Sequence, residues 1–229
     1  FVTPLSSEWR LRFDSWIEGN RRRVEEASGG RLAYVYMPDT GRGGRQAFDR
    51  DFYSQLDKEG LVLDERYNGG GQVADYVIEV LERDVMSLWR NREDWVGVSP
   101  SALFDGPKVM VINESAGSGG DWMPWAFQRR GLGPLVGTRT WGGLVGISGY
   151  PPLMDGGSVT AASFGVMDPE GNWIVENVGV APDHEVIEWP AAVMDGADPQ
   201  LDRAIELALE ALESHERSPL PEYVPPAPR

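Results

Sequence analysis

The chain has 229 residues, with 36 acidic against 21 basic side chains and a formal net charge of −15. That balance argues against nucleic acid and against anionic membrane surfaces as partners, because both would repel it. With no cysteine there is no disulfide framework, thiolate nucleophile or cysteine-held metal. Two histidines, His184 and His215, are too few for a histidine-rich metal centre, so no metal or cofactor is expected. No apolar stretch approaches the roughly 20 residues of a membrane-spanning helix, and no signal peptide opens the chain. The first residue is Phe1, not Met, which suggests a fragment of something longer. The length suits one large α/β domain, with or without appendages.

Residues 1–5 read as extended. Trp9, Phe13, Trp16 and Ile17 then recur at i, i+4, i+7 and i+8, the stripe of an amphipathic helix, with Ser6 or Ser7 as its cap and Gly29-Gly30 as its stop. Residues 1–28 are accordingly read as an N-terminal linker helix, 29–218 as the core domain and 219–229 as a proline-rich tail, extended or disordered. Leu32 to Met37 forms a strand, 39–44 a loop, and Phe48, Phe52 and Leu56 mark a helix running to about Glu59. Leu61-Val62-Leu63-Asp64 is the next strand. It runs through Glu65-Arg66-Tyr67-Asn68 into three glycines, Gly69, Gly70 and Gly71, ahead of a helix of about ten residues carrying Tyr76, Val77, Val80 and Leu81. This β-α-β-turn-α alternation predicts an α/β protein with a mostly parallel sheet.

Residues 83–107 read as a long polar loop with Trp89 and Trp95. Val109 to Ile112 is a short apolar run, a strand buried on both faces. A helix begins at Asp121 with Pro124 in its first turn. Residues 133–138 are another strand, followed by a turn at Trp141-Gly142-Gly143. Between 145 and 176 the helical signals vanish. Turn signals at Asp155-Gly156-Gly157 and Pro169-Glu170-Gly171 divide that stretch into two hairpins or a meander. The last helix runs from about Pro199 to Glu213, with Asp198-Pro199 as its cap and first-turn pair.

Ser118 sits where the apolar strand gives way to small residues and then to a helix. Free N–H groups and the positive dipole end of a helix can stabilise an oxyanion there, and Gly117, Gly119 and Gly120 allow close backbone approach. A nucleophile suits this place; so does a plain capping serine. Two glycine turns, 68–71 and 116–120, end two strands. If those strands are neighbours, backbone N–H groups from both turns can converge on one oxygen. Neither turn has the spacing of a phosphate loop or a dinucleotide fingerprint. Taken by itself, Glu176 reads as a solvated carboxylate at a strand end.

Two stretches, Ile112-Asn113-Glu114-Ser115-Ala116-Gly117-Ser118-Gly119-Gly120-Asp121 and Val136-Gly137-Thr138-Arg139-Thr140-Trp141-Gly142-Gly143, resemble the catalytic core of the tricorn proteases, within the tail-specific, C-terminal-processing serine proteases. Asp64 to Gly71, Val175 to Asp183 and Asp198-Pro199-Gln200-Leu201 extend the resemblance, in the same order, over nearly the whole chain. It implies a ClpP/crotonase-like fold of stacked ββα units, with a β-hairpin extension and a C-terminal helix. It also implies Ser118 as nucleophile, the N–H groups of Gly71 and Gly119 as oxyanion hole, and Glu176 as the acid supporting a catalytic histidine through a second hydroxyl residue. Ordinary tail-specific proteases use a lysine base; the matching position here is Gly143, so the Ser-His-Glu arrangement fits better.

In the tricorn type that histidine precedes a PDZ domain upstream of the region matched here, and neither His184 nor His215 holds a position with a family role. The fragment alone is therefore expected to be inactive. The resemblance further implies oligopeptide substrates, a homo-oligomer (a hexamer) and a cytoplasmic location. Tricorn enzymes that favour basic residues present an acid from the loop before the catalytic strand; this chain has Ser87-Leu88-Trp89-Arg90-Asn91-Arg92, with Glu93 and Asp94 nearby. Two other readings are a non-catalytic peptide-binding or assembly module and an acyl-CoA enzyme of the crotonase kind. The second needs no serine at this turn and has no evident phosphate cradle.

Overall fold

In chain order the elements are α1 (Trp9–Ser28), β1 (Leu32–Tyr36), α2 (Arg42–Tyr53), β2 (Gly60–Asp64), α3 (Ala74–Leu81), β3 (Ser87–Arg90), β4 (Val96–Ser99), β5 (Lys108–Ile112), α4 (Gly119–Arg129), β6 (Leu135–Gly137), β7 (Val145–Gly146), β8 (Phe164–Gly165), β9 (His184–Glu185), α5 (Pro190–Met194) and α6 (Pro199–Ser214). They come from a computed structural model that describes residues 4–93, 95–147 and 151–215. The central sheet has five parallel strands in the order β1-β2-β5-β6-β9. Two antiparallel hairpins, β3-β4 and β7-β8, stand outside it. The α/β class, mostly parallel sheet, hairpin additions and C-terminal helix are those expected.

Strand alternation assigns the side chains to two cores. Ala33, Val35, Leu61, Leu63, Met110 and Ile112 face α2, α3 and α4, where Phe48, Phe52, Val77, Met123 and Phe127 meet them. Leu32, Tyr34, Tyr36, Val62, Val109 and Val111 face Val24 of α1 and Leu201, Ala204 and Ile205 of α6. Both faces are covered, which is why these strands read as nearly unbroken apolar runs. Phe13, Trp16 and Ile17 bring α1 onto the second face; Trp9, expected on the same stripe, stacks on Phe13 and stays exposed.

Several expectations differ in detail. Residues 83–107 contain the β3-β4 hairpin, registered from Ser87↔Ser99 to Arg90↔Val96. Its turn is tied by Asn91, whose Oδ1 accepts the N–H groups of Glu93 and Trp95 at 3.0 and 2.9 Å. α2 starts earlier than expected because Asp39 Oδ1 accepts from Gly41 and Gly44 at 2.7 and 2.8 Å, capping the turn. α4 begins at Gly119, so Pro124 lies in its second turn. Among its described residues the stretch 145–176 holds one short pairing, β7 with β8, and an isolated bridge between Met167 and Trp173. β9 and α5, of two and five residues, are too short to leave a periodic signal. The proline-rich tail lies outside the described residues.

A buried cation ties the sheet to α6. Arg66, 1% exposed, donates to Asp64 at 2.7 and 3.0 Å, to Asp198 at 2.9 and 3.0 Å and to Glu188 at 2.7 Å. Asp198 also caps α6 through the Leu201 N–H at 2.9 Å, and Tyr34 donates its hydroxyl to Asp64 at 2.9 Å. Three carboxylates share one guanidinium, so their mutual repulsion is only partly offset. Burial, with Asp198 and Asp64 adding to it against the pull of Arg66, raises the Glu188 carboxyl to about 7 from an ordinary 4.5.

The folded state therefore binds a proton on Glu188 more tightly than the unfolded chain does. Its contribution to stability is complete below about 4.5 and is lost as pH rises through about 7. Thermal unfolding of Glu188→Gln should show a flatter decline of Tm across that window than the wild type. Parallel pH profiles would contradict the assignment.

Candidate active site

β2 and β5 are parallel neighbours, with Asp64 beside Val111, so the turns that follow them open on one edge of the sheet. Gly117 N–H donates to Asn68 O across the two turns at 3.1 Å. Asn68 is buried; its Oδ1 accepts from Gly70 N–H at 2.9 Å and its amide reaches Glu65 Oε2 at 3.3 Å. The approach admits no side chain. A Cβ on Gly70 would stand 2.7 Å from Ser118 Cβ, and one on Gly119 would lie 2.4 Å from Gly71 O and 2.9 Å from Gly71 N.

Ser118 itself adopts φ 57° and ψ −114°, a conformation costing a non-glycine residue of order 1–3 kcal/mol. Asp121 holds it there. Fully buried, its carboxylate accepts Ser118 N–H on Oδ2 at 2.7 Å and Gly142 N–H on Oδ1 at 2.7 Å. Gly142 O in turn accepts Asn177 N–H at 2.8 Å. This chain of contacts links the serine turn to the turn bearing Glu176. Val175 and Asn177, on either side of Glu176, have φ of 69° and 61°, and a positive φ at a β-branched valine is rare. Glu176 N–H donates to Ile174 O at 2.7 Å, and its Oε2 is buried without a hydrogen-bond partner among the described residues.

Ser118, Gly71 and Gly119 line one cavity of about 420 Å³, whose other walls include Trp122, Leu144 and Phe164, with Asp75 also contributing. The Gly71 and Gly119 N–H groups have no acceptor among the described residues. The structure thus brings together three of the four residues singled out in the sequence. Glu176 does not line the cavity and connects to it through Gly142 and Asp121. His184 lies in β9 and His215 follows α6, and neither lines the cavity. No group of three His, Cys, Asp or Glu side chains placed to hold a metal occurs among the described residues. Beneath the site, burial and then the Asp121 and Asp64 charges push the Glu65 carboxyl well above its ordinary range.

Sequence reasoning passed over Asp121. Its spacing from Ser118 is that of a capping box, in which the third helical residue reaches back to the cap N–H, and that signal was present. Both of its oxygens accept from backbone N–H groups, and an asparagine could serve only one of them. Asp121→Asn should lower unfolding stability by about 2 kcal/mol, the order expected when a buried donor loses its partner. Urea denaturation measures this, and a change within about 0.5 kcal/mol, the range of an ordinary surface substitution, would contradict it.

A profile described as Peptidase family S41 matches residues 31–186. Tricorn protease homolog 1 of Streptomyces coelicolor is 42% identical over 93% of this chain and 20% of its own length. The tricorn protease of Thermoplasma acidophilum is 39% identical over 92% and 20%. A crystal structure of the tricorn protease superposes with a TM-score of 0.85 at 38% identity, covering 91% of this chain and 20% of that one. The chain therefore spans about a fifth of the length of these relatives. With its parallel sheet, its paired glycine turns and this similarity across more than nine-tenths of its length, the chain belongs to peptidase family S41 and is similar throughout to the tricorn proteases.

Proposed function

We propose that this chain is the core of a tricorn-type serine peptidase that hydrolyses oligopeptides, with Ser118 as nucleophile. The observation that carries the reading is the strained Ser118 held beside two backbone N–H groups, of Gly71 and Gly119, that have no acceptor among the described residues. Backbone donors already aimed at the place where charge develops are the largest electrostatic aid to acyl transfer.

In this reading Ser118 Oγ attacks the scissile carbonyl carbon and its proton passes to a histidine. Negative charge gathers on the former carbonyl oxygen between Gly71 N–H and Gly119 N–H. Collapse of the adduct breaks the C–N bond, the histidine gives its proton to the leaving amine, and water then releases the acyl group. Glu176 supports the histidine through a second hydroxyl residue. The histidine belongs to a segment upstream of a PDZ domain in the whole protein, which acts as a homo-oligomer, a hexamer by resemblance, in the cytoplasm. Glycine at 143 disfavours the lysine route.

Fluorophosphonate labelling followed by intact mass tests the reading on the natural full-length protein. The full-length chain should gain one adduct, Ser118→Ala should gain none, and residues 1–229 alone should label far more slowly. A correctly folded full-length protein that stays unlabelled would overturn the peptidase reading in favour of a peptide-binding module.

A further inference from the structure

We propose that Thr40 is a positioning residue that sets the spacing between the Gly71 and Gly119 N–H donors. The inference rests on the reading of those groups as the oxyanion hole and adds the part that fixes their separation. Thr40 is fully buried in the short segment between β1 and α2, and its Oγ1 has no hydrogen-bond partner among the described residues. It touches both donor turns. Thr40 N–H donates to Gly70 O at 3.0 Å, and Thr40 O accepts Val73 N–H at 2.7 Å, so its peptide groups clamp the turn on either side of Gly71. Gly71 lies flat on that backbone: a Cβ there would come 2.2 Å from Thr40 C and 2.4 Å from Gly41 N.

The side chain faces the other turn. A Cβ on Gly119 would come 2.0 Å from Thr40 Oγ1, so a Gly119 Cα–H points at that oxygen, the weak contact seen where backbones crowd. The clamp is anchored from behind by Asp39, whose carboxylate takes the Gly41 and Gly44 N–H groups. A buried hydroxyl without a partner destabilises a fold, and valine would fill nearly the same shape without that cost. Hydrogen bonding within the described residues therefore gives no reason for a hydroxyl here. Its oxygen is smaller than a methyl group, and that size matches the gap at Gly119.

The test compares Thr40→Ser, Thr40→Ala and Thr40→Val in the full-length protein, with Ser118→Ala as control, on a fluorogenic tetrapeptide amide. Thr40→Ser keeps the oxygen and should hold kcat within about twofold of wild type. Thr40→Ala and Thr40→Val should each lower kcat about tenfold with KM little changed, less than the 10²–10³ of losing an oxyanion donor outright, and should slow fluorophosphonate labelling alike. A merely structural threonine would shift Tm and leave kcat and labelling alone, and that result overturns the proposal while the peptidase reading stands. Should Thr40→Val not fold, as judged by circular dichroism, the pair Thr40→Ser and Thr40→Ala decides, since they differ only in the hydroxyl oxygen. If the wild type neither labels nor hydrolyses, the reading of the site fails and this proposal with it.

Discussion

One buried carboxylate carries the geometry of the site. Asp121 accepts the N–H of Ser118 on one oxygen and that of Gly142 on the other, so a single side chain specifies both the strained serine turn and the loop leading to Glu176. Charge-assisted hydrogen bonds of this kind are stronger than neutral ones, and their strength offsets the cost of a serine at φ 57°. The same bond explains why α4 starts at Gly119: the helix reaches back to its cap through Asp121, and the first-turn N–H of Gly119 has no acceptor among the described residues.

A second layer of charge lies beneath. Arg66 pins Asp64 at the end of β2, Asp198 at the start of α6 and Glu188 between them. The turn bearing Gly70 and Gly71 leaves the sheet from this anchored point, so its direction is set before it meets Ser118. Buried ion pairs of this sort are weak evidence for stability, because desolvation can cancel the Coulombic gain. Their worth here is directional. Glu65, next in the chain, sits among Asp64, Asp121 and Asn68, and burial together with the two neighbouring carboxylates raises its carboxyl well above the ordinary range.

Much of this was legible in the residues. Apolar runs at 32–37, 61–64 and 109–112 marked the strands found at 32–36, 60–64 and 108–112, because both of their faces are covered. Two glycine turns at strand ends would share an edge only if their strands were neighbours, and the pairing of β2 with β5 meets that condition. Less legible was whatever depends on short or polar local bonds. The β3-β4 hairpin hides in a polar stretch because it makes its contacts outside the main sheet, and the Asn91 side chain closes its turn. The early start of α2 depends on Asp39, whose capping geometry no periodicity reports. Thr40 carried no signal at all, since its importance lies in touching two glycines far apart in sequence. Glu176 read as a solvated end; its place between two residues of positive φ is a backbone property invisible to composition.

The central claim is that backbone donors from two separate turns act on one oxygen beside Ser118. It is tested most directly by a crystal structure of the full-length protein reacted with a peptidyl boronate. The account predicts boron bonded to Ser118 Oγ, with one boronate oxygen about 2.7–3.1 Å from both the Gly71 and Gly119 nitrogens, the range of working oxyanion donors. A Ser118 adduct whose oxygens face solvent, or an adduct on any other residue, would contradict it.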